Sequence, residues 1–249
     1  MVVTVLRGAL GFLTRLRVGH SERAWAAFRE SPWAFPLAGY VVGALLAVPF
    51  VFDALPPGTV ALAYLAAVLV VTGINHLDGV ADVGDALVVH GDSEERTRVL
   101  KDTTVGVGAV AAIAVAVAGL ALGALGVAGL PTRAAIAVVV ATEIGAKVGM
   151  AAVACLGTAA HEGLGSQFTE RANSRDLLPA VLVAIPAVVL SWPTPAAAVA
   201  IVGAALAGLL VLWRLESLLD GVNGDVFGAV NEVGRVVGLH LGVVVWTLY

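Results

Sequence analysis

Residues 61–92 read ALAYLAAVLVVTGINHLDGVADVGDALVVHGD. The first part is uncharged and ready to enter a lipid bilayer. The second carries Asp78, Asp82, Asp85 and Asp92 with His76 and His90, and no Lys or Arg among them. An acidic cluster without compensation therefore follows directly on an apolar run. Two questions arise: what lipid-embedded architecture supplies the run, and what the aspartates hold at its edge.

The whole chain answers the first. Of its 249 residues 59% are hydrophobic and 13% charged, with a mean hydropathy of +0.97, where soluble domains carry about 25% charged residues. Long uncharged stretches of Ala, Val, Leu and Gly point to an all-α, polytopic membrane helix bundle. A transmembrane β-barrel needs alternating segments of about ten residues, which are absent. Cys155 is the single cysteine, so no intramolecular disulfide forms. The net charge of −4 says little, because the charges are unevenly spread. The N-terminal MVVTVLRGALGFLTRLRV lacks a charged region before its apolar residues and a small-residue cleavage pattern after them. Leu6, Leu10, Leu13 and Leu16 recur near helical spacing with Arg7, Arg15 and Arg17 among them, as in an amphipathic helix lying in the membrane interface.

Candidate spans are 33–52, 59–75, 105–127, 133–156, 177–191, 196–213 and 236–249. The expectation is about six or seven transmembrane helices plus the interfacial one, in a single membrane-embedded domain over residues 1–249. The segment 177–191 is short and carries Pro179 and Pro186, so it is expected to be tilted or broken. Alternate threading puts the longer polar segments 1–32, 76–104, 157–176 and 214–235 on one side. Arg7, Arg15, Arg17, Arg23, Arg29, Arg96, Arg98, Lys101, Arg171, Arg175, Arg214 and Arg235 fall there, against Arg133 near the other face and Lys147 within a span. That cation bias makes the loaded side cytoplasmic. Chemistry confined to one face suits an enzyme acting on cytoplasmic solutes better than a channel, which needs polar groups along its path.

If residues 76–89 continue the helix of the second span, Asp78, Asp82 and Asp85 stand at i, i+4 and i+7 and line one face. Like charges at that spacing destabilise a helix, and scarce water raises the penalty. Either some carboxylates are protonated or a cation sits between them. An all-oxygen ligand set favours Mg²⁺, Ca²⁺ or Mn²⁺ over zinc. Downstream, Arg96, Arg98 and Lys101 precede Thr103, Thr104, Gly106 and Gly108. Such cations neutralise phosphate oxygens, while hydroxyls and backbone N–H groups add hydrogen bonds; cations flanking a span are also ordinary topology determinants. A second acidic patch holds Glu216 and Asp220, then Asp225 after the turn-forming Asn223-Gly224, then Glu232. Two patches from distant parts of the chain are able to share one or two metals if they converge.

At this point the residues resemble a known family. HLDGVADVGDAL at 76–87 resembles the signature of the cobalamin synthases, the adenosylcobinamide-GDP ribazoletransferases. FLTRLRV at 12–18, FPLAGYVVG at 35–43, KDTTVGVGA at 101–109, EGLGSQF at 162–168 and GVNGDVFGAVNE at 221–232 are similar to the family's other blocks, in order. Departures fall at Lys147 and Ala160, where members often carry arginine, and at Ala86, where they tend to have Gly. The resemblance implies a plasma-membrane enzyme, its active site facing the cytoplasm, that joins adenosylcobinamide-GDP to α-ribazole or its 5′-phosphate with release of GMP. It implies Mg²⁺ as cofactor, with Mn²⁺ a substitute. Under it Asp78, Asp82 and Asp85 are the catalytic metal ligands, Asp82 or His76 an alternative proton acceptor, and Asp225 supports a second metal or binds the ribazole. Arg98 and Lys101 hold phosphate oxygens, and Asp102, Thr103, Asn223 and Gly224 complete the substrate-binding set. The expected partners are these small molecules and the lipid bilayer, with no nucleic acid.

Three further readings stand beside this. Glu143 and Lys147, at i, i+4 within a span, either pair structurally or contact substrate. Gly119-x-x-x-Gly123 is able to pack helices within the chain or between copies in a homo-oligomer. Rival functions are a CDP-alcohol phosphotransferase, whose D-x-x-D-G-x-x-A-R pattern fails here at three points, and a cation-coupled transporter, which needs ionisable residues near the midplane of several spans.

Overall fold

The computed structural model describes residues 1–19, 21–100, 102 and 104–249. The described chain is helical, with one isolated bridge between Ala159 and Val222. In order, the helices are α1 (Val2–Leu13), α2 (Glu22–Arg29), α3 (Ala34–Leu46), α4 (Pro57–Thr72), α5 (Asn75–Val88), α6 (Ser93–Leu100), α7 (Val107–Ala128), α8 (Thr132–Leu156), α9 (Leu164–Thr169), α10 (Leu177–Ala184), α11 (Ala196–Leu219) and α12 (Gly224–Leu248).

Among the described residues four helices, α7, α8, α11 and α12, are long and apolar enough to cross a membrane, or five counting α4 and α5 as one bent unit. Shorter apolar helices, α1 and α3, stand beside them, in keeping with the expected all-α membrane bundle. The stretch 33–52 is a 13-residue α3 followed by a 3₁₀ turn over Val48–Val51, where Pro49 has no N–H to continue the helix. The stretch 177–191 breaks likewise into the eight-residue α10 and a 3₁₀ segment, Ile185–Val189, containing Pro186. The last span is longer than its apolar stretch suggests. α12 starts at Gly224, so Glu232 and Arg235 lie inside the bundle and not in a cytoplasmic loop.

α8 is the central helix, packed by α3, α11 and α12. Its alanines and glycines fall on every face, so neighbouring backbones approach it from all sides, the usual route to close packing in lipid. α7 presents Val107, Val110, Val115 and Leu122 outward, an apolar surface suited to lipid. Gly119 and Gly123 pack α7 against α12 of the same chain: a Cβ added there would lie 2.8 Å from Val236 and 3.0 Å from Leu239.

At one end of the bundle, rings from α1, α2, α3, α9 and α12 form a cluster of Phe12, Trp25, Phe28, Phe35, Phe168 and Phe227, tightest between Phe28 and Phe35 at 4.9 Å between centroids. The cluster is continuous with Val80 and Val83 of α5. This anchors the acidic helix over the bundle end.

Candidate active site

α5 does not prolong α4. Gly73, at φ 75°, closes α4 in the left-handed region that favours glycine, and the two helices meet at 96°. α5 therefore turns across the bundle end, against the first turns of α12 and α7. Its apolar face, with Val80, Val83 and Ala86, packs inward, while Asp78, Asp82 and Asp85 occupy the opposite side.

The distant acid that joins them is Asp225. A Cβ on Gly79 would lie 2.7 Å from the Asp225 carbonyl oxygen and 2.9 Å from its Cα, and one on Gly228 would lie 2.9 Å from the His76 carbonyl oxygen. The α5 and α12 backbones thus touch at the level of the acids. Asn223 caps α12: its Oδ1 accepts from the N–H groups of Asp225 and Val226, each at 3.1 Å, and its Nδ2 donates to Asp225 Oδ2 at 2.8 Å. The pair Asn223-Gly224, expected to bind substrate, here starts the helix and orients the carboxylate beside it.

Asp82 records the crowding. Burial, then the charges of Asp225, Asp78 and Asp85, push its carboxyl up to about 6. The carboxylates of Asp78 and Asp82 make no hydrogen bond to the described residues. No group of three or more acid, histidine or cysteine side chains among the described residues is gathered closely enough to enclose a metal. The arrangement is an open acidic rim, not a preformed cage. It fits Mg²⁺, which takes one or two carboxylates and completes its octahedron with water and substrate phosphates.

Asp85, the third expected ligand, is tied to the start of α7. Its Oδ2 accepts from Gly106 N–H at 2.7 Å and its Oδ1 from Ala109 N–H at 2.8 Å. It satisfies donors at the start of α7, a group of N–H bonds that a helix cannot pair internally. His76 is buried, and its Nδ1 faces Asn231 Nδ2 at 3.0 Å inside the bundle.

The expected phosphate-binding segment is partly placed. Lys101 and Thr103 lie outside the described residues. Asp102 Oδ1 accepts from Thr104 N–H at 3.0 Å, a local turn contact. Arg98 is exposed, 3.9 Å from Glu94, and lines a polar pocket of about 390 Å³ with Ser93, Thr97 and Asp220. Arg96 donates to Ala86 O at 2.7 Å and closes the C-terminal end of α5. The second acidic patch divides. Glu216 Oε1 accepts from Thr158 N–H at 2.7 Å and Asp220 pairs with the Ser93 hydroxyl, leaving Asp225 as the member that reaches the first patch.

Beneath the rim lies an ionic network. Lys147 Nζ donates to Glu143 Oε2 at 2.8 Å and to Asn231 Oδ1 at 2.7 Å; Arg235 bonds Glu143 and donates to Glu232 Oε1 at 2.6 Å. All four charged groups are at most 1% exposed. Glu143 and Lys147 are therefore structural partners, and through Glu232 the network extends to His76, 3.6 Å away. The sequence reading missed the roles of Asn231, Glu232 and Arg235; their positions within one continuous helical register were the available signal.

The profile described as Cobalamin-5-phosphate synthase matches residues 5–243. An adenosylcobinamide-GDP ribazoletransferase of Halorubrum lacusprofundi is 50% identical over 259 residues, covering 100% of both chains. One from Halobacterium salinarum is 67% identical over 194 residues, 78% of this chain and 97% of the relative. A third, from Haloquadratum walsbyi, is 43% identical over the whole of both chains. No solved structure matches. With the acidic rim carried by the same blocks that bear the resemblance, the chain belongs to the cobalamin-5-phosphate synthase family.

Proposed function

We propose that this chain is a Mg²⁺-dependent adenosylcobinamide-GDP ribazoletransferase of the plasma membrane, acting at its cytoplasmic face. The observation that carries the reading is the backbone contact of Gly79 with Asp225, which adds an acid from α12 to Asp78 and Asp82 of α5. Its functional content comes from the full-length likeness to relatives bearing that name. The cation-rich segments on the rim's side support the cytoplasmic orientation.

The reaction is a displacement at phosphorus. A ribose hydroxyl oxygen of α-ribazole, or of its 5′-phosphate, bonds to the phosphorus bearing the cobinamide side chain. The bond from that phosphorus to the bridging oxygen breaks, and GMP leaves with the electron pair. Asp78 and Asp225 would hold Mg²⁺, which when bound supplies charge neutralisation of the diphosphate. Asp82, with its carboxyl near 6, is suited to take the hydroxyl proton near neutral pH. Asn223 keeps Asp225 turned to the rim, and Asp85 fixes α7 against α5. Arg98 and Lys101 are the cations proposed to meet phosphate.

The test is purified protein in detergent with adenosylcobinamide-GDP, α-ribazole and Mg²⁺. GMP and a cobalamin product should appear in equal amounts and only with metal. Absence of GMP with both α-ribazole and its 5′-phosphate would overturn the assignment.

A further inference from the structure

On the side of α5 opposite the aspartates lies a cleft of about 550 Å³. Val80, Val83, Gly84 and Leu87 roof it, Ala112 and Val115 of α7 form one wall, and Val211 and Arg214 of α11 form the other. α12 is the floor. α5, α7 and α11 each pack on α12 or on one another, but α7 and α11 share no substantial contact, so the cleft opens sideways between two spanning helices. The outward residues around that opening are apolar: Val115 is 74% exposed, and Val110, Leu206 and Leu210 face outward on the same two helices. A mouth of this kind meets bilayer hydrocarbon, not water.

Its rim is not apolar throughout. Arg214 stands exposed at the end of α11 nearer α5, with no hydrogen bond or ion pair to the described residues. Beside it Trp213, 72% exposed, takes the position that tryptophan favours at a membrane–water boundary. An unpaired cation at the boundary, above an apolar slot opening into the bilayer, complements a molecule with a negative head and a hydrocarbon tail.

We propose that this cleft is a binding site for one anionic phospholipid, its chain lying between α7 and α11 beneath α5 and its phosphate on Arg214. The site is separate from the acidic rim, across the thickness of α5, and the proposal does not depend on the transferase reading. A seated chain fills the space under the helix that carries Asp78 and Asp82 and so supports that helix from below.

Native mass spectrometry of the full chain in detergent, titrated with phosphatidylglycerol or phosphatidylcholine, tests it. The wild type should retain one phosphatidylglycerol per chain with about five-fold preference over phosphatidylcholine, the factor one membrane-surface arginine contributes. R214Q should erase the preference. Ala112→Phe should abolish retention, and Val115→Trp, at a position already exposed, should weaken it without disturbing the core. Retention and preference unchanged in R214Q and Val115→Trp would overturn the proposal. So would displacement of the retained lipid by α-ribazole, which would make the cleft a substrate pocket.

Discussion

Gly79 of α5 lies against Asp225 of α12 so closely that a methyl group at 79 would sit 2.7 Å from the Asp225 carbonyl oxygen. The obstacle is backbone, which cannot swing aside. Gly79→Ala should push the two helices apart at about 1–3 kcal/mol of stability. Because misplacement by an ångström costs on the order of 100-fold in rate, GMP release should fall far more than the melting temperature of the purified protein. Unchanged turnover would mean that Asp225 is not part of the rim.

The aspartates should separate into two classes. Asp78→Asn and Asp82→Asn should each lower kcat by about 10²-fold or more, as expected of groups meeting the reacting charges, with membrane insertion intact. Asp85→Asn should lose about 1 kcal/mol of stability from the start of α7 and less than about ten-fold in rate. Steady-state kinetics paired with thermal unfolding in detergent distinguishes them.

Asp82 predicts a pH effect with a definite sign. Its folded carboxyl is raised from 3.8 to about 6, so the metal-free fold binds that proton more tightly than the unfolded chain does. The resulting stabilisation is complete below 3.8 and is lost as pH rises through about 6. Metal-free protein should therefore become less stable between pH 4.5 and 7 by this contribution, and saturating Mg²⁺ should flatten the slope. Melting curves of wild type and Asp82→Asn, with and without Mg²⁺, measure it; an identical slope in the variant would count against the crowded-acid reading.

The ionic network beneath the rim should be brittle. Glu143→Gln leaves Lys147 and Arg235 facing each other with only Glu232 to balance them, a loss of about 3–5 kcal/mol on the scale of broken buried pairs. The detergent-solubilised variant should unfold at a clearly lower temperature, or fail to accumulate in membranes.

Much of this architecture was legible in the residues. Helical membrane class followed from uncharged Ala- and Val-rich runs, and the i, i+4, i+7 spacing put Asp78, Asp82 and Asp85 on one face as observed. The 96° break was not anticipated, although Gly73 marks it, because an apolar run into a helical pattern reads as one rod until a positive φ is known. The start of α12 was hidden for a related reason: Glu232 and Arg235 look like loop residues until their pairing with each other, and that of Arg235 with Glu143 on α8, is seen in space. The convergence of Asp225 with the first patch needed a tertiary contact that neither local sequence encodes by itself. Asp85's attachment to Gly106 and Ala109 lay equally beyond pattern reading, since a capping carboxylate and a metal-binding one have the same side chain.

The placement of charges on α8 and α12 bears on how the chain is made. Translation delivers Glu143 and Lys147 to the membrane some ninety residues ahead of Glu232 and Arg235. The emerging α12 brings its own Glu232–Arg235 pair and finds Glu143 waiting for the guanidinium and Lys147 for Asn231. A nascent polypeptide cut short before residue 224 would leave Glu143 and Lys147 with each other alone, short of the hydrogen bonds that Arg235 and Asn231 bring.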